Sequence, residues 1–191
     1  MEILIITGPP YSGKGTQCKI LNSELNFNHI STGDRCRLEK ENQTGIGKLM
    51  AEYEEKGNLV PDDLMKKLFS NILDENKDNK GIILDGYPRT EDQVNDLVEL
   101  VELKNMKIGG ILNIDVPKSE LLIRAKKRSE TSDRKDDRDP QIHIKRIEIF
   151  EKSTRPAIEY MKSKFVVKTF NGLGSVEEIT ERIKTSLLTK I

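Results

Sequence analysis

The sequence lacks several features that would point to whole classes of protein. The longest apolar run near its start covers only residues 3–7, so we expect neither a signal peptide nor a transmembrane helix. Acidic and basic residues balance at 32 each. Because no net charge attracts a polyanion or an anionic surface, we expect no nucleic acid and no membrane among the partners.

Cysteine and histidine are also scarce, with two of each in 191 residues. Cys18 and Cys36 lack the spacing of a metal-binding pair, so we expect both to be free thiols, buried or half-buried, in a reducing cytoplasm. His29 and His143 are isolated, and we interpret them as structural or surface residues. The length suits one core with small insertions, since two full domains would need a longer chain.

The most informative stretch that is present lies at the N-terminus. A β-branched run from Ile3 to Thr7 predicts a buried strand, and the G-x-x-x-x-G-K pattern from Gly8 to Lys14 follows it directly. Glycines at both ends of such a loop let backbone N–H groups turn towards phosphate oxygens, and the following helix adds its dipole. Lys14 adds a cation and Thr16 a hydroxyl suited to Mg²⁺. This context favours a P-loop over an ordinary Gly/Pro turn.

Short apolar runs alternate with helical patterns along the rest of the chain. We predict further strands at 28–30, 81–85, 110–115 and 165–170, with helical spacing in 64–73 and 94–101. Thr90 and Ser175 each begin a capping box. The alternation predicts an α/β fold of the P-loop NTPase type. We expect a three-layer sandwich in which helices flank a five-stranded parallel sheet, with insertions at 31–61 and 129–138.

Three further motifs follow, and two of them have an ordinary structural interpretation. Taken alone, the first motif is typical of a turn and helix cap; it is Ser31-Thr32-Gly33-Asp34-Arg35-Cys36-Arg37. The charged stretch 124–146 is typical of a solvated helix–loop–helix. Asp85-Gly86-Tyr87-Pro88-Arg89 ends a predicted strand beside the P-loop strand, where parallel sheets bind ligands. Asp85 there could accept hydrogen bonds from waters around Mg²⁺, which binds few protein ligands directly.

The four motifs together resemble the nucleoside monophosphate kinases, and adenylate kinases in particular. Gly13-Lys14-Gly15-Thr16-Gln17 carries Gly after the Lys, as in that family, and the resemblance extends from Ile3 to about Val176. It implies Mg²⁺-dependent transfer from ATP to AMP giving two ADP, with ATP, ADP and AMP as partners of a cytoplasmic monomer. Two positions depart from the family, because Tyr11 replaces the usual Gly and Arg35 replaces an apolar residue.

The resemblance also assigns roles to individual residues. Those implied in phosphoryl transfer are Lys14, Arg89, Arg128, Arg134 and Arg146. Those implied in ATP binding are Gly8, Pro10, Ser12, Gly13, Lys14, Gly15, Thr16, Arg124 and Gly174. Those implied in AMP binding are Thr32, Gly33, Arg37, Leu59, Val60, Gly86, Arg89, Gln93, Arg134 and Arg146. The Mg²⁺ site implied is Thr16 and Asp85, largely through water.

Two local assignments remain open. Gln93 either contacts adenine or completes the capping box that Thr90 begins. The chain has one residue more than the family spacing after Asp137, so either Lys145 or Arg146 takes the catalytic place. A helical projection from Ile142 at 100° per residue puts Arg146 on the apolar face and Lys145 on its flank, which favours Arg146.

The stretch 129–138 is identified with the lid of this family in its short form. Only five residues separate Arg128 from Arg134, and without Cys or His there we expect no structural zinc. Two other functions remain as alternatives. One is a UMP/CMP-type kinase of the same fold, against which Thr32 argues, since pyrimidine-acting relatives tend to carry Ala there. The other is a catalytically silent nucleotide-binding module.

Overall fold

The structure is a computed structural model that describes residues 1–55, 58–131 and 138–188. The strands are β1 (Glu2–Thr7), β2 (Asn28–Ser31), β3 (Gly81–Asp85), β4 (Lys107–Asp115) and β5 (Val167–Asn171). The helices of the described part are α1 (Lys14–Leu25), α2 (Thr32–Glu41), α3 (Gly45–Glu55), α4 (Asp62–Glu75), α5 (Glu91–Leu103), α6 (Lys118–Thr131), α7 (Pro140–Ile149), α8 (Arg155–Lys164) and α9 (Val176–Leu188), with a π turn (Phe150–Thr154) between α7 and α8.

The five strands form one parallel sheet in the order β2-β3-β1-β4-β5. The predicted α/β fold with a five-stranded parallel sheet is therefore confirmed. Strands β3 and β2 lie on one side of β1, and β4 and β5 lie on the other. Because all strands run the same way, the carboxyl ends of β1, β2 and β3 meet at one edge, where ligands bind in such sheets.

Alternate residues of the strands build a core on each face of the sheet. In β1, Ile3 and Ile5 pack with α4, α5 and α8, whereas Leu4 and Ile6 pack with α1 and α9. All four side chains are at most 5% exposed. This period of two follows from the pleat of a strand, and it produces the expected three layers.

The structure extends or shifts several predicted boundaries. Strand β4 begins at Lys107, three residues before the predicted start, and β5 begins at Val167, two residues after it. Helix α6 continues to Thr131 and so enters the predicted lid 129–138, of which residues 132–137 lie outside the described part. The predicted insertion 31–61 contains the contacting pair α2 and α3. None of the described helices is both long and apolar enough to cross a membrane.

Tyr87 introduces an energetic cost in the core between the sheet and α4. Its ring stacks on Phe69 at a centroid distance of 3.6 Å, and it is 1% exposed. The hydroxyl is buried without a hydrogen-bond partner among the described residues. A buried polar group in that state costs roughly 1–3 kcal/mol.

We therefore expect Tyr87→Phe to stabilise the protein, by about 1 kcal/mol, because it removes this hydroxyl and keeps the ring. That gain corresponds to a rise in Tm of about 2–4 °C for a chain of this size, measurable by calorimetry. Tyr160→Phe is the control, since the Tyr160 hydroxyl donates to Asn95 at 2.8 Å. An equal or larger rise for Tyr160→Phe would contradict the explanation.

Candidate active site

A cleft of about 440 Å³ opens at the carboxyl edge of the sheet. This volume lies in the range of small-molecule sites. Its floor is made by the ends of β1 and β3, and its walls by α1, the α2 N-terminus and α7. Most of the predicted site residues line it: Gly8, Pro10, Gly13, Lys14, Gly15, Thr16, Gly33, Arg37, Leu59, Asp85, Gly86, Arg89, Arg128 and Arg146.

The loop between β1 and α1 has the backbone geometry that a phosphate cradle requires. Gly8 has φ +144°, and a Cβ at this position would lie 2.4 Å from the carbonyl oxygen of Ile114. Gly13 has φ +89° and forms the N-cap of α1. Only glycine takes such conformations without strain, so both positions explain the spacing of the motif. The resulting loop directs the N-terminus of α1 into the cleft.

Lys14 and Asp85 form the charged centre of the cleft. Burial lowers the pKa of Lys14 from its ordinary value, although the charge of Asp85 opposes the shift. Burial alone would raise the pKa of Asp85, but the hydrogen bond with His29 and the charges of Lys14 and Arg89 hold it below its ordinary value. Asp85 is therefore a carboxylate at neutral pH. The Nζ atom of Lys14 donates to the carbonyl of Pro9 at 3.2 Å.

Four arginines from four different segments reach the same cleft. Arg37 lies on α2 and pairs with Asp34, while Arg89 follows β3 and donates from Nε to the carbonyl of Gly86 at 2.5 Å. Arg128 and Arg146 lie on α6 and α7. Lys145 is not among the cleft-lining residues, and the catalytic role of Arg146 stays a prediction. Arg134 lies outside the described residues.

The predicted base-binding residues lie mostly beneath the cleft surface. Thr32 is 4% exposed, and its hydroxyl donates to the backbone carbonyl of Asp85 at 3.0 Å. Gln93 is 2% exposed, accepts from the Arg89 N–H at 2.8 Å and donates to Asp62 at 2.6 Å. Thr90 caps α5 by accepting from the N–H of Gln93, but the Gln93 side chain accepts from the N–H of Arg89 and not from that of Thr90, so only half of the predicted capping box forms. The structure does not bring Thr32, Gln93 or the buried Val60 into the cleft, and their adenine contacts stay predictions.

Three of the predicted ATP-binding residues, Ser12, Arg124 and Gly174, do not line the cleft. Arg124 donates to the carbonyls of Ser12 at 3.3 Å and Gly172 at 2.9 Å, and pairs with Glu120 at 2.8 Å. It therefore joins the P-loop to the connection between β5 and α9. Ser12 is buried, and Gly174 lies in that same connection with φ +114°. None of the three lines the cleft, so their ATP contacts stay predictions.

The interpretation of the histidines as isolated is wrong. His29 lies 3.3 Å from Asp85, measured from Nε2 to Oδ2. His143 is 4% exposed, and its Nδ1 atom is hydrogen-bonded with the Tyr11 hydroxyl at 2.5 Å. Both contacts join distant parts of the chain, so sequence spacing gave no sign of them. His29 supports the carboxylate, and His143 ties α7 to the P-loop.

Tyr11 is the centre of this second contact. Its φ of +67° is left-handed, which costs a non-glycine residue about 1–2 kcal/mol. Its hydroxyl lies 3.5 Å from Nη1 of Arg146, and Arg128 stands 5.9 Å from its ring centroid. The ring packs on a small cluster formed by Val116, Leu121 and Ile147. The strained residue therefore links the P-loop to both cleft arginines of α6 and α7.

Several other cleft residues were not predicted from the sequence. Lys19 continues the α1 wall, and Asn58 stands beside Leu59. The π turn after α7 places Phe150 and Thr154 against the cleft as well. The available signal was weak: Asn58 is marked only by standing next to the predicted residue Leu59, and the helical projection from Ile142 assumed no π turn.

The fold and this cation-lined cleft define a P-loop phosphotransferase of the nucleoside monophosphate kinase class. Residues 6–166 match the family model described as "Adenylate kinase". A relative of that name in Bacteroides fragilis is 40% identical, over 94% of this chain and 95% of its own. Another in Leptospira biflexa is 37% identical, over 98% of this chain and all of its own. The chain belongs to the adenylate kinase family.

Proposed function

We propose that the protein transfers a phosphoryl group reversibly from ATP to AMP, giving two ADP. The observation that carries this proposal is the convergence of Lys14 and four arginines, from five segments, on one cleft around Asp85. A phosphoryl group in transfer carries its charge on equatorial oxygens, so catalysis consists of positioning and cations. The cleft supplies these groups without a covalent nucleophile.

The position of each cation in the cleft indicates which phosphate it would bind. The P-loop N–H groups and Lys14 would hold the donor phosphates, since they meet at the N-terminus of α1. Arg37 and Arg89, from α2 and the end of β3, would hold the phosphate of AMP with planar, two-pronged guanidinium groups. Arg128 and Arg146, on the helices that flank the lid, would stabilise the group in transfer. Arg134 keeps its predicted role here.

The residues at the centre of the cleft fit Mg²⁺. Thr16 and Asp85 present a hydroxyl and a carboxylate, the hard oxygen ligands that this ion prefers. Both line the cleft, and Asp85 lies close to the first turn of α1, because a Cβ at Gly15 would lie 3.3 Å from its Oδ2 atom. When bound, Mg²⁺ neutralises phosphate charge, and Thr16 and Asp85 would hold it largely through water.

Neither alternative is favoured. A silent nucleotide-binding module should have lost part of the cation set, whereas five of its members line the described cleft. A pyrimidine-specific kinase is disfavoured by family membership and by Thr32. The monomeric state and the cytoplasmic location stay predictions from the sequence.

AMP should be the preferred acceptor over CMP, UMP and GMP. The Thr32 hydroxyl donates its hydrogen bond to the Asp85 carbonyl. Towards a nucleotide base it could therefore act only as a hydrogen-bond acceptor, which suits an amino group such as that of adenine. Leu59 adds an apolar surface, against which the smaller pyrimidine ring would make less contact than adenine. Hydrogen bonds to substrate polar groups discriminate more strongly than apolar fit.

A coupled assay of ADP production over these four acceptors tests both the reaction and its specificity. The expected result is the highest kcat/KM for AMP, with UMP and GMP lowest because they present a carbonyl where adenine has its amino group. Comparable values for CMP and AMP would contradict the assignment of the acceptor. Absence of ADP with any acceptor would contradict the proposed reaction itself.

A further inference from the structure

Three possible metal ligands of different chemistry meet behind the P-loop. The Cys18 sulfur, a ring nitrogen of His29 and a carboxylate oxygen of Asp85 all lie within 4.8 Å of one another. They come from α1, β2 and β3, so only the fold brings them together. Within the described residues, this is the one such group that contains a thiol.

The spacing of this cluster fits a tetrahedral borderline cation. Zinc bonds to nitrogen and oxygen at about 2.0–2.1 Å, which places two such ligands roughly 3.3 Å apart in a tetrahedron. The Nε2 atom of His29 and Oδ2 of Asp85 are 3.3 Å apart. A zinc–sulfur bond of about 2.3 Å requires the sulfur roughly 3.5 Å from both. The Cys18 sulfur, which lies within 4.8 Å of both atoms, would therefore move closer by about 1 Å when the ion binds.

The same donor set distinguishes this cation from Mg²⁺. A thiolate and an imidazole are ligands of Zn²⁺, Co²⁺ and related ions, whereas Mg²⁺ takes oxygen. His29 and Asp85 also line the cleft, which provides an entry path and leaves a fourth position for water. Cys18 closes the site from below with no exposed surface.

We propose that Cys18, His29 and Asp85 form an inhibitory site for a borderline divalent cation such as Zn²⁺. Binding displaces the Cys18 thiol proton to solvent, and thiolate and carboxylate balance the two charges of the ion. Asp85 is then withdrawn from its place at the Mg²⁺ site. The inhibition rests on the proposed function, whereas the binding does not. Because Lys14 and Arg89 act on Asp85, binding is weaker than at a structural four-ligand zinc site.

Cys36 provides a matched control within the same chain. It is the only other cysteine, it is equally buried at 2% exposed, and it belongs to the core on the opposite face of the sheet. Cys36→Ser therefore removes a buried thiol without touching the cluster. Cys18→Ala removes the proposed ligand without adding a buried hydroxyl.

Cobalt(II) is the probe for binding, since a thiolate ligand gives it a charge-transfer absorption that other ligands do not. We expect this band in the parent and in Cys36→Ser, and its loss in Cys18→Ala. His29→Asn should weaken cobalt binding at least tenfold, and Zn²⁺ should displace cobalt from the parent. Circular dichroism and thermal melts check that each variant folds. A parent without the band, or a band retained in Cys18→Ala, overturns the proposal.

Inhibition is tested in the ADP-production assay at fixed Mg²⁺–nucleotide. Zn²⁺ should inhibit the parent and Cys36→Ser alike, reversibly on chelation, and the half-inhibitory concentration should rise at least tenfold in Cys18→Ala. Each variant is compared with itself without Zn²⁺. Equal inhibition of the parent and Cys18→Ala overturns the inhibitory role. A cobalt–thiolate band in a protein without kinase activity refutes only the proposed function, whereas an active kinase without the band refutes only this inference.

Discussion

Lys14→Met is expected to lower kcat by at least about two to three orders of magnitude while the protein still unfolds cooperatively. Methionine keeps most of the length of the side chain and removes the ammonium group that faces Asp85. The charge is needed only where phosphate charge must be stabilised. Burial of Lys14 lowers its pKa, which means that the folded protein holds the charged form at a cost. Removal of the charge should therefore reduce the free energy of unfolding only slightly.

The measurement pairs steady-state kinetics with a thermal melt of the same preparation. Lys104→Met serves as the control, because Lys104 pairs with Asp74 at 2.6 Å on α4, away from the cleft. It should keep activity within a few-fold of the parent. Activity of Lys14→Met within tenfold of the parent would refute the role of this residue. Loss of a cooperative melt would show that Lys14 acts on folding.

Arg146→Ala should reduce kcat by roughly 10³-fold, the low end for an arginine that stabilises phosphoryl transfer. Arg146 lines the cleft, and its Nη1 atom lies 3.5 Å from the Tyr11 hydroxyl. The Tyr11–His143 hydrogen bond fixes α7 against the P-loop, so the guanidinium is presented from a supported helix. Arg146→Lys should recover only part of the loss, because Lys lacks the planar fork.

Lys145→Ala is the matched control for this arginine. It removes a cation one residue earlier on the same helix, from a position that does not line the cleft. We expect activity within a few-fold of the parent. If Lys145→Ala were instead the more damaging change, the additional residue of this chain would lie after the catalytic position.

Much of the fold follows from local patterns, because their causes are local. Strand β3 occupies the predicted residues 81–85, since a short apolar run bounded by turn residues suits a strand buried on both faces. The P-loop glycines were identified for a similar reason, because a positive φ depends on the residue itself. The Ser175–Glu178 capping box forms in both directions, at 3.2 and 2.8 Å.

The contacts that sequence reasoning missed join residues far apart in the chain. Tyr11 and His143 are separated by 132 positions, and Cys18 and Asp85 meet only because α1 packs beside β3. No spacing rule reports such pairs. Gln93 illustrates competition, because its amide is used by Arg89 and Asp62, and a motif does not show which partner prevails.

The π turn at Phe150–Thr154 has a consequence for how related chains are aligned. A π turn contains roughly one residue more than an α-helical turn. A relative that is one residue shorter could therefore run α7 directly into α8, with Arg146 still at the cleft and Ala157 and Ile158 still in the core. Length variation, usually confined to loops, would then fall inside a helix. Where a relative has one residue fewer between Arg146 and Ala157, the gap in the alignment belongs between 150 and 154.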